Sequence, residues 1–168
     1  MEVAFLDRDG TITKDYKDED WRFVSQLEFI DGSIDALINI QNKGYELIII
    51  TNQYLINENI ITLNSYEKLT NKFISKLKEN NIDLLDIFYC PHTRTEGCDC
   101  LKPRPGLINQ ALMKYPNIDL EHSFLVGDSL CDMELAQYFN LDFFGINISI
   151  SYDNIRPVNS LNDVLDFI

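Results

Sequence analysis

Cations are scarce in this chain: 14 lysines and arginines stand against 27 aspartates and glutamates, a net charge of −13 over 168 residues. Nucleic acid and anionic membranes both require a basic surface, so neither is an expected partner. No apolar run approaches the ~20 residues of a membrane span. Met1-Glu2 leads straight towards an apolar strand with no basic leader, so no signal peptide is expected and the cytoplasm is the expected compartment. Low-complexity tracts and internal repeats are missing too, and the length suits one domain spanning 1–168. Four cysteines in a chain without an export signal point away from disulfides. Three of them, Cys90, Cys98 and Cys100, crowd into one loop beside His92, which suits a metal.

What is present begins at the first residues. Val3 to Leu6 reads as a buried strand that stops at Asp7-Arg8-Asp9-Gly10-Thr11. Two carboxylates projecting from one strand tip repel each other unless a cation lies between them, and the hard oxygen ligands ask for Mg²⁺. Ile12 to Glu28 has no regular periodicity and reads as a long loop in which Trp21 and Arg22 are candidate substrate contacts, Trp21 being equally able to anchor the loop on the core. Ser33 is the expected N-cap of a helix that Gly44 stops. A second buried strand, Tyr45 to Ile50, ends in Thr51-Asn52-Gln53. A helix is predicted over Thr62–Asn80, with Leu63, Tyr66, Leu69, Phe73, Ile74 and Leu77 on one face. Then come a strand at Leu84–Tyr89, a helix opening at Pro105-Gly106, a strand at Ser123–Val126, a helix at Asp132–Asn140, a fifth strand at Phe143–Ile148 and a closing helix at Ser160–Phe167. Such alternation predicts an α/β fold with a doubly wound, mainly parallel sheet. In that architecture the carboxyl ends of the strands share one edge, so polar groups forty or more positions apart converge there.

The converging set is suited to phosphoryl transfer, which is mostly positioning and charge neutralisation. Asp7 would be a carboxylate nucleophile and Asp9 the acid and base for leaving group and water. Thr51 and the Asn52 backbone would bind phosphate oxygens, Lys102 would neutralise the phosphate beside Asp7, and Asp7, Asp9 and Asp128 would hold Mg²⁺, with Asp132 one helical turn on as a further or indirect ligand. Cys90, His92, Cys98 and Cys100 supply three thiolates and one imidazole, a closed tetrahedral set expected to hold a structural Zn²⁺ in the loop 90–100, two residues before Lys102.

Asp7-Arg8-Asp9-Gly10-Thr11, Thr51-Asn52-Gln53, Lys102-Pro103 and Gly127-Asp128-Ser129 followed by Asp132 resemble, in order, the four motifs of the haloacid-dehalogenase-like phosphatases. The resemblance implies a Mg²⁺-dependent hydrolase of phosphomonoesters working through an aspartyl-phosphate. The cysteine-rich loop is similar to that of the subgroup holding D-glycero-D-manno-heptose 1,7-bisphosphate phosphatases and histidinol-phosphate phosphatases. Lys102-Pro103-Arg104-Pro105-Gly106 and Phe29-Ile30-Asp31-Gly32 resemble the heptose branch, which implies a sugar-phosphate substrate and carbohydrate metabolism. Three features depart from it: Tyr54 to Asn59 has neither the glycine nor the arginine of that branch, Leu101 stands where it has an arginine, and the five-residue spacer between His92 and Cys98 is closer to the histidinol-phosphate type. A second phosphate needs a cationic clamp, for which Arg104 and Arg94 are the remaining candidates. The segments where cap domains are inserted are too short here to fold separately, so no cap domain is expected, and a monomer is. A phospho-receiver or zinc-stabilised regulatory module is the alternative of another class. It would need an Asp at the end of the third strand, where Tyr89-Cys90 stands.

Overall fold

Val3–Leu6 carries four consecutive apolar residues, as a strand covered on both faces requires, and it forms β1 at the centre of the sheet. The computed structural model describes residues 1–152 and 154–168. Five more strands follow: β2 (Glu46–Asn52), β3 (Leu84–Cys90), β4 (Phe124–Gly127), β5 (Asp142–Ile146) and β6 (Ile155–Val158). They make one parallel sheet in the order β3-β2-β1-β4-β5-β6. Alternate residues of each strand feed two separate cores. Ala4 and Leu6 pack with α1 (Ser33–Asn42) and α2 (Leu63–Glu79), while Val3 and Phe5 pack with α3 (Gly106–Lys114) and α4 (Leu130–Tyr138). The fold is therefore doubly wound, and no cap domain interrupts it. None of the described helices is long and apolar enough to cross a membrane.

The helix boundaries follow local chemistry. The Thr62 side chain accepts from the Ser65 N–H and caps α2. Tyr66, Leu69, Phe73 and Leu77 are its buried face, as their spacing predicts, with Ile74 partly buried beside them; Leu63, expected on that face, is exposed in the first turn. Ser33 is the first residue of α1 and not its cap. That position belongs to Gly32, whose φ of 80° a side chain would disfavour. The helix predicted from Asp132 starts earlier, at Leu130, because Ser129 and Asp132 close a capping box. The closing segment is a 3-10 helix, Leu161–Asp166, and the long loop after β1 contains another, Asp18–Phe23.

Strand β6 is absent from the sequence-based expectation, because Pro157 within Ile155-Arg156-Pro157-Val158 argues against a strand. It is tolerated here because β6 is an edge strand, where a missing N–H need not deprive a neighbour of a bond.

Two consecutive excursions on one side, β1 to β2 to β3, followed by a jump to β4 on the other side of β1, leave a crevice at the carboxyl ends of β1 and β4. In open α/β sheets that is where ligands bind.

Candidate active site and metal centres

Parallel register delivers the site residues to this crevice. Leu6 pairs with Ile49 on one side and Val126 on the other, so Asp7, Thr51 and Asp128 emerge within two residues of the same level. The Asp7 N–H continues the ladder to the Val126 carbonyl at 3.0 Å, which fixes the backbone of that residue. Two glycines make the approach possible. A Cβ on Gly10 would lie 2.0 Å from Asp128 Oδ2, and one on Gly127 would lie 2.4 Å from Asp132 Cγ. The Gly10 φ of +92° also favours glycine.

Lys102 is the hub. Its ammonium donates to Asp7 Oδ1 at 2.7 Å, to Asp132 Oδ1 at 2.6 Å and to the Ile50 carbonyl at 2.9 Å, using all three of its hydrogens while only 4% exposed. Burial alone would push this amine down. The adjacent Asp132 and Asp7 outweigh burial and hold it above its ordinary value, so it is charged at neutral pH. The Asn52 amide pins the lysine from the pocket wall: its Oδ1 accepts from the Lys102 N–H at 2.8 Å and its Nδ2 donates to the Lys102 carbonyl at 3.2 Å. The Asn52 side chain thus staples β2 to the segment carrying Lys102, which leaves its backbone as the group expected to face phosphate.

One lysine does not balance three carboxylates. Asp7, Asp128 and Asp132 each offer an oxygen within 4.8 Å of the others. Burial raises Asp7 well above the usual carboxylate range, against the pull of Lys102, with Asp132 and Asp128 adding to the rise. Asp128 is pushed up to about 6, by burial first and by the charges of Asp132 and Asp15 next. Hard oxygen donors destabilised as anions are what a divalent cation neutralises, so this donor set fits Mg²⁺. Asp132 has one oxygen on Lys102 and the other on the Ser129 hydroxyl at 2.6 Å, which suits it to orient the site and leaves Asp7 and Asp128 better placed for direct ligation.

Asp9 does not join that cluster. Its carboxylate accepts from Arg8 Nε at 2.9 Å, Arg8 Nη2 at 2.8 Å, Thr13 Oγ1 at 3.1 Å and Gln53 Nε2 at 2.8 Å. The Asp9 carboxylate is held on the pocket wall, apart from the grouped oxygens of Asp7, Asp128 and Asp132. Arg104 is also elsewhere: exposed, it donates to the Cys98 carbonyl and does not line the pocket. Arg22 is exposed on the outer loop, where it donates to the Glu19 carbonyl.

The pocket over Asp7 has a volume of about 160 Å³ and is also lined by Asp9, Asp15, Trp21, Thr51, Tyr54, Leu55 and Ser129. Trp21 is 3% exposed and packed in the core, and it also lines the pocket. A larger groove, about 570 Å³, runs between α2 and β3, but it lies away from the Asp7–Lys102 cluster. At the rim, Arg94 pairs with Glu58 at 2.7 Å and Asp18 at 3.1 Å and stacks 4.4 Å from the Tyr54 ring, tying three loops together. Of these residues, sequence reasoning missed Arg8, Gln53 and Ser129. Ser129-x-x-Asp132 is a readable capping signature, and Gln53 closes a quoted motif. Arg8 was legible only as the residue between two aspartates.

The second centre forms as the spacing predicts. Cys90 Sγ lies 3.0 Å from Cys100 Sγ, 3.6 Å from Cys98 Sγ and 3.4 Å from His92 Nδ1, and His92 Nδ1 lies 3.1 Å from Cys100 Sγ. Bonds of about 2.1–2.3 Å to a tetrahedral zinc would set ligand separations near 3.5–3.8 Å. Burial raises the Cys90 thiol, whereas the Leu101 and Cys100 N–H groups overcome burial at Cys98 and lower it to about 7. Three thiolates and one imidazole around one point, with no fifth ligand among the described residues, match a structural zinc site.

The acidic crevice yields a pH prediction. Between the ordinary carboxylate range and about 6, the folded protein binds more protons at Asp128 than the unfolded chain does, so stability falls as pH rises through that window. In magnesium-free buffer the melting temperature is expected to be higher at about pH 5 than at about pH 7.5. Added Mg²⁺ should narrow the gap, and Asp128→Asn should shrink it. A gap indifferent to both would show that this carboxylate does not set the trend.

The family described as Polynucleotide kinase 3 phosphatase matches residues 2–153. D-glycero-alpha-D-manno-heptose-1,7-bisphosphate 7-phosphatase of Photorhabdus laumondii is 40% identical over 148 residues, covering 82% of this chain and 77% of that protein. D-glycero-beta-D-manno-heptose-1,7-bisphosphate 7-phosphatase of Pasteurella multocida is 43% identical over 140 residues, covering 78% and 73%. Among solved structures, D,D-heptose 1.7-bisphosphate phosphatase from B. bronchiseptica, complexed with magnesium and phosphate, superposes with a TM-score of 0.86 at 23% identity over 99% of this chain and 97% of that one, a likeness of fold.

Proposed function

Because the chain belongs to the polynucleotide kinase 3 phosphatase family of haloacid-dehalogenase-like phosphatases, we propose that it is a Mg²⁺-dependent phosphomonoesterase acting on a heptose 1,7-bisphosphate. The observation that carries the reading is the buried Lys102 ammonium shared between Asp7 and Asp132 at the crevice, beside Asp128. The names of the relatives supply the substrate.

In this reading Asp7 Oδ2 attacks phosphorus while Lys102 holds Oδ1. An Asp7–phosphorus bond forms, the ester P–O bond breaks, and the electron pair leaves with the alkoxide, which takes a proton from Asp9. Asp9, which entered protonated and is now the carboxylate that Arg8, Thr13 and Gln53 hold, removes a proton from water; the water oxygen bonds to phosphorus, the Asp7–phosphorus bond breaks with its electron pair going to Asp7, and inorganic phosphate leaves with Asp9 protonated again. Thr51 donates its hydroxyl to a phosphate oxygen. Bound Mg²⁺, held by Asp7 and Asp128 with Asp132 orienting the set, supplies charge neutralisation for the phosphoryl oxygens. The zinc loop holds Lys102 in register. The net charge of −13 speaks against a polynucleotide as the ester, whatever the family's name.

One observation favours a second substrate. The rim cation Arg94 is already engaged by Glu58 and Asp18, and Asp15 lines the pocket, so a second phosphate would meet an acidic rim that a cationic amine would not. Histidinol phosphate carries such an amine. Side-by-side kcat/KM values decide. The heptose bisphosphate is expected to lead by about tenfold or more, equivalent to about 1.4 kcal/mol of differential transition-state binding. A lead for histidinol phosphate would overturn the substrate assignment while leaving the chemistry standing.

A further inference from the structure

Gln53 is 1% exposed, and its amide nitrogen spends both hydrogens on the site: one on Asp9 Oδ2 at 2.8 Å and one on Thr51 Oγ1 at 2.9 Å. The price is a buried Oε1 with no hydrogen-bond partner among the described residues. Rotating the amide by half a turn would set that oxygen against the Asp9 carboxylate, so the orientation is dictated by its neighbours. Arg8, also 1% exposed, grips the same carboxylate with two parallel N–H bonds and is itself held from α2, by Thr70 Oγ1 at 3.4 Å and over the Tyr66 ring at 5.6 Å. With Thr13 completing the set, each Asp9 oxygen accepts two bonds and the rotamer is over-determined by three side chains. Gln53 also occupies a lone pair of Thr51, which leaves that hydroxyl's own hydrogen free to point at a phosphate oxygen.

We infer that Arg8 and Gln53 are positioning residues for the proton-transfer step: Arg8 fixes the plane of the Asp9 carboxylate, and Gln53 locks it in register with the phosphate-binding hydroxyl of Thr51. The inference rests on the phosphatase reading above. Neither side chain lines the pocket, so both act through Asp9 and Thr51. This arrangement explains why a buried arginine stands between the two aspartates at a strand end. The alternation of the strand tip turns it from the pocket towards α2, where it can brace its neighbour.

Leaving-group dependence tests it. An alkyl phosphate needs a proton on its departing oxygen, whereas p-nitrophenyl phosphate releases a stabilised phenolate without one. Single-turnover cleavage of p-nitrophenyl phosphate is compared with that of whichever of heptose 1,7-bisphosphate and histidinol phosphate the unmodified protein cleaves, in that protein and in Arg8→Lys and Gln53→Met. In both variants the alkyl-to-aryl rate ratio is expected to fall about tenfold or more, since general acid catalysis is worth ~10²–10⁴. Gln53→Met should also lose a smaller factor on both esters through Thr51. Equal losses on the two esters in both variants would overturn the inference and leave the phosphatase reading intact. An unmodified protein that cleaves neither ester would overturn both. Melting curves identify a variant that fails to fold; Gln53→Met, close in volume and free of charge, then carries the test alone.

Discussion

Asp7→Asn is expected to abolish phosphate release, by a factor on the order of 10⁴ or more, as removal of a nucleophile does elsewhere. The amide is nearly isosteric with the carboxylate, and its oxygen can still accept the bond that Lys102 donates to Asp7 Oδ1. Burial already pushes Asp7 well above the usual carboxylate range, so the exchange removes a charge that the fold tolerates only with help. The melting temperature should therefore hold to within a few degrees while turnover vanishes. Intact-mass analysis of acid-quenched protein should show a phosphoryl adduct in the unmodified chain and none in Asp7→Asn. Asp128 is the other acid at the crevice. It carries no bond from Lys102 and lies against Gly10, in a position to hold a cation and not to attack. Asp128→Asn should accordingly raise the Mg²⁺ concentration needed for activity before it removes activity. Substantial turnover by Asp7→Asn would move the nucleophile elsewhere and end the proposed mechanism.

Loss of the zinc site should be the largest effect on stability. Residues between β3 and α3 contain no helix or strand, and Cys98 and His92 are only half-buried, so little apolar burial holds this segment. A closed four-ligand zinc site contributes on the order of 10 kcal/mol to such a segment. Even a third of that reaching the global fold would lower the melting temperature of Cys98→Ala by on the order of 10 °C. Activity should fall with it, because Lys102 follows Cys100 by two residues and its backbone would then be held in place by the Asn52 staple. Elemental analysis is expected to find one zinc per chain in the unmodified protein and a marked deficit in Cys98→Ala. Cys131, on α4 and outside the cluster, provides the control: Cys131→Ala should keep its zinc and its activity. Protein purified without chelators that is folded and active yet free of zinc would refute the assignment.

The features legible in the sequence are those whose chemistry is local. A run such as Val3 to Leu6 cannot alternate and so must be covered on both faces. Thr62 and Asn80 bracket α2 because caps act within one turn. Cys90, His92, Cys98 and Cys100 are close enough along the chain that any compact loop brings their ligand atoms together. Strand β6 was hidden because its proline is a strand-breaker except at an edge, and being at an edge is a property of the whole sheet. Asn52 shows the same limit at the site. Its place at the end of β2 is evident, but the partner its side chain chooses, the backbone of Lys102, lies fifty residues away.

By itself, then, the sequence determined the alternation of strands and helices, the four-ligand loop and the identity of the groups that reach the crevice, since these depend on periodicity, spacing and chemical type. Only the tertiary structure decided how those groups divide their work. Asp7 and Asp9 are indistinguishable as residues two apart in an acidic chain. They part because Lys102, from the loop after β3, and Asp128, at the end of β4, meet Asp7, whereas Arg8 and Thr13 of its own loop and Gln53 from the end of β2 converge on Asp9. Two identical carboxylates acquire different roles from the charges and donors packed around them, and that packing is fixed only when the sheet closes.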